Sequence, residues 1–156
     1  MFFKHVGICS DHAGIELKSY LLAGLKDLDL SVYDVGPTAS PENVRVDYPD
    51  YAKLLATKMQ KGLLDGGIAI CGTGLGMCIS ANKFRGIRAC SAWDEMSARL
   101  GREHNDANVL CLGARMLHPA RALDLVQLWL QTAFLFDRHA LRLEKIAQIE
   151  RESNLA

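Results

Sequence analysis

A cysteine at the end of an apolar run, followed by a glycine-rich turn, is the clearest sign of chemistry in this sequence. Residues 68–71 are typical of a buried strand, which ends at Cys71, and residues 77–83 have the character of a helix. A helix that begins after such a turn leaves backbone N–H groups unpaired, and its peptide dipoles favour an anion there. Cys71 would face that anion, in surroundings that favour the thiolate form. The turn comprises Gly72, Thr73, Gly74, Leu75 and Gly76.

This turn does not match the common phosphate-binding loops. The sequence GTGLG differs from the G-x-G-x-x-G of dinucleotide-binding proteins, and it lacks the Lys-Ser/Thr ending of a P-loop. It also lacks the arginine with which a cysteine phosphatase would hold its phosphoryl group. A thiol beside oriented N–H donors suits proton transfer next to a carbonyl, with the donors holding the developing enolate oxygen. Arginines elsewhere in the chain would then anchor a remote phosphate.

Predicted strands and helices alternate along the chain. The strands cover residues 2–9, 30–35, 68–71, 87–92 and 108–112, and the helices cover residues 15–28, 50–61, 77–83, 94–103, 119–134 and 141–149. Residues 38–49 contain two prolines and no periodicity, which predicts a loop. The alternation predicts βαβ units, and therefore one domain of residues 1–156, a three-layer α/β/α sandwich around a five-stranded parallel, Rossmann-like sheet.

Polar residues gather where the predicted strands end, and ligands of such sheets bind at the carboxyl ends of strands. Asp11 and His12 follow the first strand, and Thr73 follows the third. Arg115 follows the fifth. We expect further ionisable and polar residues to join them at the same edge, namely His104, Asn105, Arg138, His139 and Arg142.

Each candidate also has a structural interpretation, and the residues alone leave both open. A cysteine such as Cys71 is more often a packed apolar thiol than a catalyst. Asp11 suits a helix cap as well as a catalyst, and His104 suits favourable charge at a helix C-terminus. Arg138 and Arg142 lie one helical turn apart, and such pairs are usually solvated surface. The other cysteines are expected in the core: Cys9, Cys78, Cys90 and Cys111.

Composition excludes several classes of function. The 18 basic residues balance the 18 acidic ones, so no overall field would recruit nucleic acid or an anionic membrane. Five cysteines without a C-x-x-C pair provide neither a zinc ligand set nor a disulfide framework, and they suit a reducing cytosol. No apolar run reaches the ~20 residues of a membrane helix, and the N-terminus does not have the pattern of a signal peptide. We expect a soluble cytoplasmic protein.

Five blocks of the sequence together resemble the type B ribose-5-phosphate isomerase family, which includes the galactose-6-phosphate isomerase subunits. The blocks are SDHAGIELK (10–18), VDYP (46–49), ICGTGLGMCISANKFRGIRA (70–89), REHNDANVLCLGAR (102–115) and DRHALR (137–142). They extend over nearly the whole chain in the order and spacing of that family. The family's Rossmann-like α/β/α sandwich agrees with the predicted fold.

The resemblance implies a role for each candidate residue. Cys71 matches the catalytic base that moves a proton between C1 and C2 of the sugar through a cis-enediolate. His104 matches the acid that opens the furanose ring, and Asp11 matches a carboxylate that shares this work. Thr73 matches the hydroxyl that assists the base. The other matches are the loop amides of Gly72, Gly74, Leu75 and Gly76, and the substrate contacts of His12, Asn105, Arg115, Arg138 and Arg142.

The resemblance also implies partners and leaves the substrate open. In the family His104 and Asn105 reach the active site of the other subunit, so a homodimer or homotetramer is expected, with the helix of residues 141–150 on a partner. No metal or organic cofactor is implied. Ribose 5-phosphate of the pentose phosphate pathway is the expected substrate, and the alternatives are a hexose 6-phosphate, a tetrose phosphate, or binding without turnover. Residues 38–46 look longer than in typical members, which leaves the preference between pentose and hexose open.

Overall fold

The computed structural model describes residues 1–38 and 45–153. Five strands form one sheet: β1 (His5–Ser10), β2 (Ser31–Gly36), β3 (Gly66–Cys71), β4 (Ala89–Ser91) and β5 (Val109–Gly113). All neighbours are parallel, in the order β2-β1-β3-β5-β4. The helices are α1 (Ile15–Gly24), α2 (Tyr48–Gln60), α3 (Leu75–Ala81), α4 (Glu95–Asn105), α5 (Pro119–Gln131) and α6 (Phe136–Ser153).

Helices cover both faces of the sheet because side chains alternate between the faces along each strand. On one face Ile68 and Ile70 of β3 pack in a core with Leu21 of α1 and Trp129 of α5. On the other face Ala69 and Cys71 belong to a second core with α2 and α3. Every residue of β3 is buried. The predicted three-layer sandwich with a five-stranded parallel sheet is confirmed.

Several element boundaries differ from the predicted ones. Strand β4 has only three residues, and the backbone before it forms a turn in which Ile87 N–H donates to the carbonyl of Phe84. Helix α6 begins at Phe136 instead of residue 141, with a non-helical backbone at Asp137. Its first turn is polar, so apolar periodicity did not reveal it.

The structure describes only part of the predicted loop of residues 38–49. Residues 39–44 lie outside the described residues, as do residues 154–156 of the polar tail. The end of the predicted loop is wrong, because α2 already begins at Tyr48 and includes Pro49 in its first turn, where proline is favoured. Over residues 1–38 and 45–153, no helix is long and apolar enough to cross a membrane.

Both ends of the strands matter for the candidate residues. We call the side of the sheet where the parallel strands end the carboxyl edge, and the side where they begin the amino edge. Ser10, Cys71 and Gly113 end their strands at the carboxyl edge. Helix α4 then runs back across the sheet, so its last residue, Asn105, lies at the amino edge, beside the start of β5. Helix α6 starts near this end of α4, since Leu135 N–H donates to the carbonyl of Glu103 at 2.9 Å. Eleven residues of α4 at a rise of about 1.5 Å each separate the two edges by roughly 16 Å.

Candidate active site

The thiol of Cys71 lies against the start of α3. It is buried at the end of β3, and Gly74 N–H donates a hydrogen bond to its Sγ atom at 3.1 Å. The backbone on either side is fixed by the turn after β5, because Ala114 N–H donates to the Cys71 carbonyl at 2.9 Å and Arg115 N–H to that of Gly72 at 3.0 Å.

Glycine is required where the turn after β3 contacts the turn after β5. Gly74 has φ +81°, in the left-handed region, and a Cβ atom there would lie 3.0 Å from the carbonyl carbon of Leu112. A Cβ atom on Gly113 would lie 2.8 Å from the carbonyl oxygen of Thr73. The close backbone contact therefore sets the direction of the Gly74 N–H, which donates to the thiol of Cys71.

Asp11 and His12 come to the same edge from β1. Asp11 N–H donates to the carbonyl of Ile70 at 3.0 Å, which places Asp11 beside the end of β3. The buried Asp11 carboxylate accepts a hydrogen bond from Ala13 N–H at 2.9 Å, so the cap interpretation is correct for one of its oxygens. His12 is exposed, and its Nδ1 lies 3.0 Å from the carbonyl oxygen of Val46.

The loop and Arg115 complete this group. Thr73 is exposed, and its Oγ1 accepts a long hydrogen bond from Leu75 N–H at 3.4 Å. The guanidinium of Arg115 packs against Gly72, since a Cβ atom there would lie 3.0 Å from Nη1. We call these residues the carboxyl-edge cluster: Asp11, His12, Cys71, Gly72, Thr73, Gly74, Leu75, Gly76 and Arg115.

The remaining candidates form a second group at the other edge of the sheet. The ring of His104, on the last turn of α4, stacks on the ring of His139 with centroids 4.1 Å apart and planes 9° apart. Burial, then the charges of His104, Arg138 and Arg142, lower the pKa of His139. Asn105 is exposed beside them. We call His104, Asn105, Arg138, His139 and Arg142 the amino-edge cluster.

Ion pairs fix the end of α4 that carries this second cluster. Asp106 ends the helix in a left-handed conformation, with φ 43°. Its carboxylate pairs with Arg88 Nη2 at 2.7 Å and with Arg102 Nη1 at 2.8 Å. Arg88 Nε also donates to the carbonyls of Asn105 and Asp106, which are free at a helix end. The buried Arg102 lies over the ring of Phe3, 4.7 Å from its centroid.

Within one chain, the structure therefore does not bring all candidates to one edge. Helices in βαβ units run antiparallel to the strands, so a residue at the end of such a helix lies at the amino edge. His104 and Asn105 follow this rule, and Arg138 and Arg142 lie near them because α6 starts there. The sequence-based expectation of a single edge did not allow for this reversal.

Sequence reasoning missed the ion pair between Arg88 and Asp106, although the alternating charges of REHND were visible. It expected His139 near the site but gave it no function. Two of the cysteines expected in the core, Cys78 and Cys90, are only partly buried. Hydrogen bonds from the Cys111 thiol, Ser91 and Asn82 lower the pKa of Cys78 to about 6, whereas burial raises that of Cys90 to about 12.

The two other cysteines lie in the core as expected. Cys9 and Cys111 are buried. Burial raises the pKa of Cys9. Among the residues that the structure describes, no group of three or more His, Cys, Asp or Glu side chains is placed to hold a metal ion.

Comparisons with known proteins agree on one family. The family model described as Ribose/Galactose Isomerase matches residues 6–146. Ribose-5-phosphate isomerase B of Escherichia coli is 42% identical over 151 residues, which are 97% of this chain and 99% of that protein. D-erythrulose-4-phosphate isomerase of Pectobacterium atrosepticum is 39% identical over 147 residues, which are 94% of this chain and 95% of that protein. The crystal structure of ribose-5-phosphate isomerase B from Mycoplasma genitalium with bound ribulose-5-phosphate has a TM-score of 0.89 at 40% identity, and covers 95% of this chain and 97% of that one.

Proposed function

Because the chain belongs to the ribose/galactose isomerase family, we propose that it interconverts D-ribose 5-phosphate and D-ribulose 5-phosphate through a cis-enediolate. The supporting observation in the structure is the hydrogen bond from Gly74 N–H to the thiol of Cys71. A base and an oriented N–H donor side by side are what proton transfer next to a carbonyl requires. The five free cysteines suit the reducing cytoplasm, where we place the enzyme.

The proton transfer is assigned to the carboxyl-edge cluster. The Cys71 thiolate takes the proton from C2 of the open aldose and returns it to C1, while a second proton moves from O2 to O1. The negative charge that develops on the enediolate oxygens faces the loop of residues 72–76, whose backbone N–H groups are donors for it. The exposed hydroxyl of Thr73 assists the base from within the same loop.

Ring opening is assigned to His104 together with Asp11. The furanose form of ribose 5-phosphate must lose its C1–O4 bond before C2 can be deprotonated. His104 gives a proton to O4, and the Asp11 carboxylate takes the proton from the hydroxyl on C1. In one chain these two residues lie at opposite edges of the sheet, which the length of α4 separates by roughly 16 Å, beyond the reach of their side chains.

A second copy of the chain resolves this separation. We infer a homodimer, or a homotetramer built from such dimers, in which the amino-edge cluster of one copy completes the carboxyl-edge cluster of the other. Exposed apolar side chains surround both clusters, which is typical of an interface. Leu75 is 56% and Trp93 61% exposed at the carboxyl edge, and Phe136 is 71% and Leu141 65% exposed near the amino edge. In this arrangement residues 141–150 of α6 pack on the partner.

The phosphate is assigned to arginines from both clusters. Arg115 and His12 reach it from the carboxyl edge, and Arg138 and Arg142 reach it from the partner, where Asn105 contacts the sugar. Guanidinium groups suit this task because they bind phosphate oxygens through two parallel hydrogen bonds. All three arginines are exposed in the single chain, so their donors are accessible to a ligand.

A tetrose or hexose phosphate is the second candidate for the substrate. It is supported by the 39% identity to D-erythrulose-4-phosphate isomerase, which acts on a shorter sugar. The contact between His12 and Val46 also places the end of the segment 38–46 beside the carboxyl-edge cluster. Values of kcat/KM over tetrose, pentose and hexose phosphates decide between them, and tight binding without turnover of any would support a binding protein instead.

Solvent exchange tests the role of Cys71. In deuterated water the wild-type enzyme should carry solvent label into the sugar, and Cys71→Ala should lower the rate by ~10²–10⁴-fold, the usual contribution of a general base. Cys78→Ala is the matched control, because hydrogen bonds lower the pKa of the Cys78 thiol to about 6 but the proposed reaction gives it no role, and this variant should label normally. Equal labelling by Cys71→Ala and the wild type would refute Cys71 as the base.

A further inference from the structure

His139 is a buried histidine to which the proposed reaction assigns no role. Its side chain is only 5% exposed, and within the described residues its Nδ1 has no hydrogen-bond partner. Its ring stacks flat on that of His104, with centroids 4.1 Å apart and planes 9° apart. Leaving a buried ring nitrogen without a partner costs free energy, so a purely structural role would be served better by an apolar ring.

We propose that His139 is a positioning residue for His104, and that it fixes the plane of the imidazole that opens the sugar ring. This inference rests on the proposed function for the identity of the acid. The backbone of His104 is already fixed, because Asp106 and Arg88 secure the end of α4. The ring still needs an orientation, and among the described residues no hydrogen bond supplies one. The stack supplies it.

The charges around His139 suit this task. His104 faces it from α4, and Arg138, Arg142 and Asp137 face it from its own helix. Burial lowers the pKa of His139, as do the charges of His104, Arg138 and Arg142, while the charge of Asp137 raises it. Two charged rings 4.1 Å apart would repel each other, whereas a neutral ring offers its π face to a protonated one. His104 can therefore carry a proton without losing its stacking partner.

The two sugars provide a way to separate ring opening from proton transfer. Ribose 5-phosphate closes into a furanose through its C4 hydroxyl, and the acid must protonate O4 as the C1–O4 bond breaks. Ribulose 5-phosphate cannot form this ring, because its C5 hydroxyl is esterified. Exchange of a C1 proton of ribulose 5-phosphate with solvent therefore needs the base Cys71 but no ring opening.

The test compares His139→Ala and His139→Phe with the wild-type protein. We expect His139→Ala to lower kcat for ribose 5-phosphate by about tenfold or more, but by no more than the ~10²–10⁴-fold that acid catalysis contributes, with KM changed less than about twofold. Deuterium exchange into ribulose 5-phosphate should stay within about twofold of the wild-type rate. His139→Phe keeps a flat ring on His104 and should restore most of kcat.

Other outcomes would overturn the proposal. Equal losses in both reactions would make His139 a structural residue, and a raised KM at unchanged kcat would make it a substrate contact. A His139→Phe variant as slow as His139→Ala would mean that stacking is not its function. The ring protons of His104 in an NMR spectrum give a readout independent of activity: they should move in His139→Ala and much less in His139→Phe. An inactive wild-type enzyme would refute the proposed function, whereas unmoved His104 resonances in an active enzyme would refute only this inference.

Discussion

The two edges of the sheet carry candidate residues that are fixed in different ways. At the carboxyl edge the important donor is a backbone N–H, that of Gly74, and its direction is set by close contact between two turns. At the amino edge the important groups are side chains on α4 and α6, and ion pairs through Asp106 secure the end of α4. Backbone donors can stabilise a developing charge without reorganising, whereas an acid and a phosphate clamp need side chains that approach from outside. In the homodimer that we propose, one chain therefore presents half of each site.

Complementation between two inactive variants tests most directly whether the two edges of different copies form one active site. Cys71→Ala removes the base of the carboxyl-edge cluster, and His104→Ala removes the acid of the amino-edge cluster. Each alone should lose ~10²–10⁴-fold in kcat. Refolding an equal mixture should restore about a quarter of wild-type activity, because half of the dimers are mixed and each mixed dimer has one intact site.

The matched control for complementation mixes two variants of the same cluster. Cys71→Ala mixed with Cys71→Ser should stay at the background rate, because no pairing of the two restores the base. If the mixture of Cys71→Ala and His104→Ala also stays at background while both variants fold and associate, the two clusters do not share a site.

The carboxyl edge could be predicted from sequence because its signals are local. An apolar run, a glycine turn and a helix stand next to each other around Cys71, and the rule for strand ends placed Asp11 and Arg115 beside them. The amino edge depends on tertiary structure. The direction of α4 carries His104 away from Cys71, and the ion pair between Arg88 and Asp106 joins residues 18 positions apart in the chain. Nothing local distinguishes His139 from a surface histidine on α6.

Short or irregular elements explain the other differences between the predicted and the observed structure. Strand β4 has three residues and lies at the end of the sheet, so Cys90 and the nearby Cys78 are less covered than their apolar neighbours predicted. The polar first turn of α6 gave no apolar periodicity, and therefore α6 was predicted to begin five residues too late. Apolar periodicity in a sequence indicates a buried face, and these segments are only partly buried.

A smaller effect is expected when the backbone donor of the carboxyl edge is displaced. Gly74→Ala puts a side chain at φ +81° and a Cβ atom 3.0 Å from the Leu112 backbone, so both strain and crowding move the N–H. We expect a loss of about 2–3 kcal/mol in unfolding free energy, of which the left-handed backbone contributes ~1–2 kcal/mol. kcat should fall about 10²-fold, as when one oxyanion donor is lost.

Gly62 provides a matched control for this substitution. It also has a positive φ, +70°, but a Cβ atom there would meet nothing within 4 Å. Gly62→Ala should therefore cost only the ~1–2 kcal/mol of the left-handed backbone and leave kcat unchanged. Chemical denaturation and steady-state kinetics measure both variants. Equal effects on kcat would show that the Gly74 N–H has no special position in catalysis.

The smallest effect concerns the response of the amino edge to pH. Burial, with the charges of His104, Arg138 and Arg142, lowers the pKa of His139 below its usual 6.5, against the opposing charge of Asp137. The unfolded chain then binds the proton more readily than the folded one, so this contribution to stability is present above pH 6.5 and is lost as the pH falls through the lower pKa of the folded state.

His139→Phe removes the titrating group. Melting curves at one fixed protein concentration should show a smaller fall in Tm between pH 7 and pH 5 for His139→Phe than for the wild type, with the difference between them at pH 8 as the baseline. Parallel curves for the two proteins would mean that His139 takes up its proton equally well in the folded and unfolded chains.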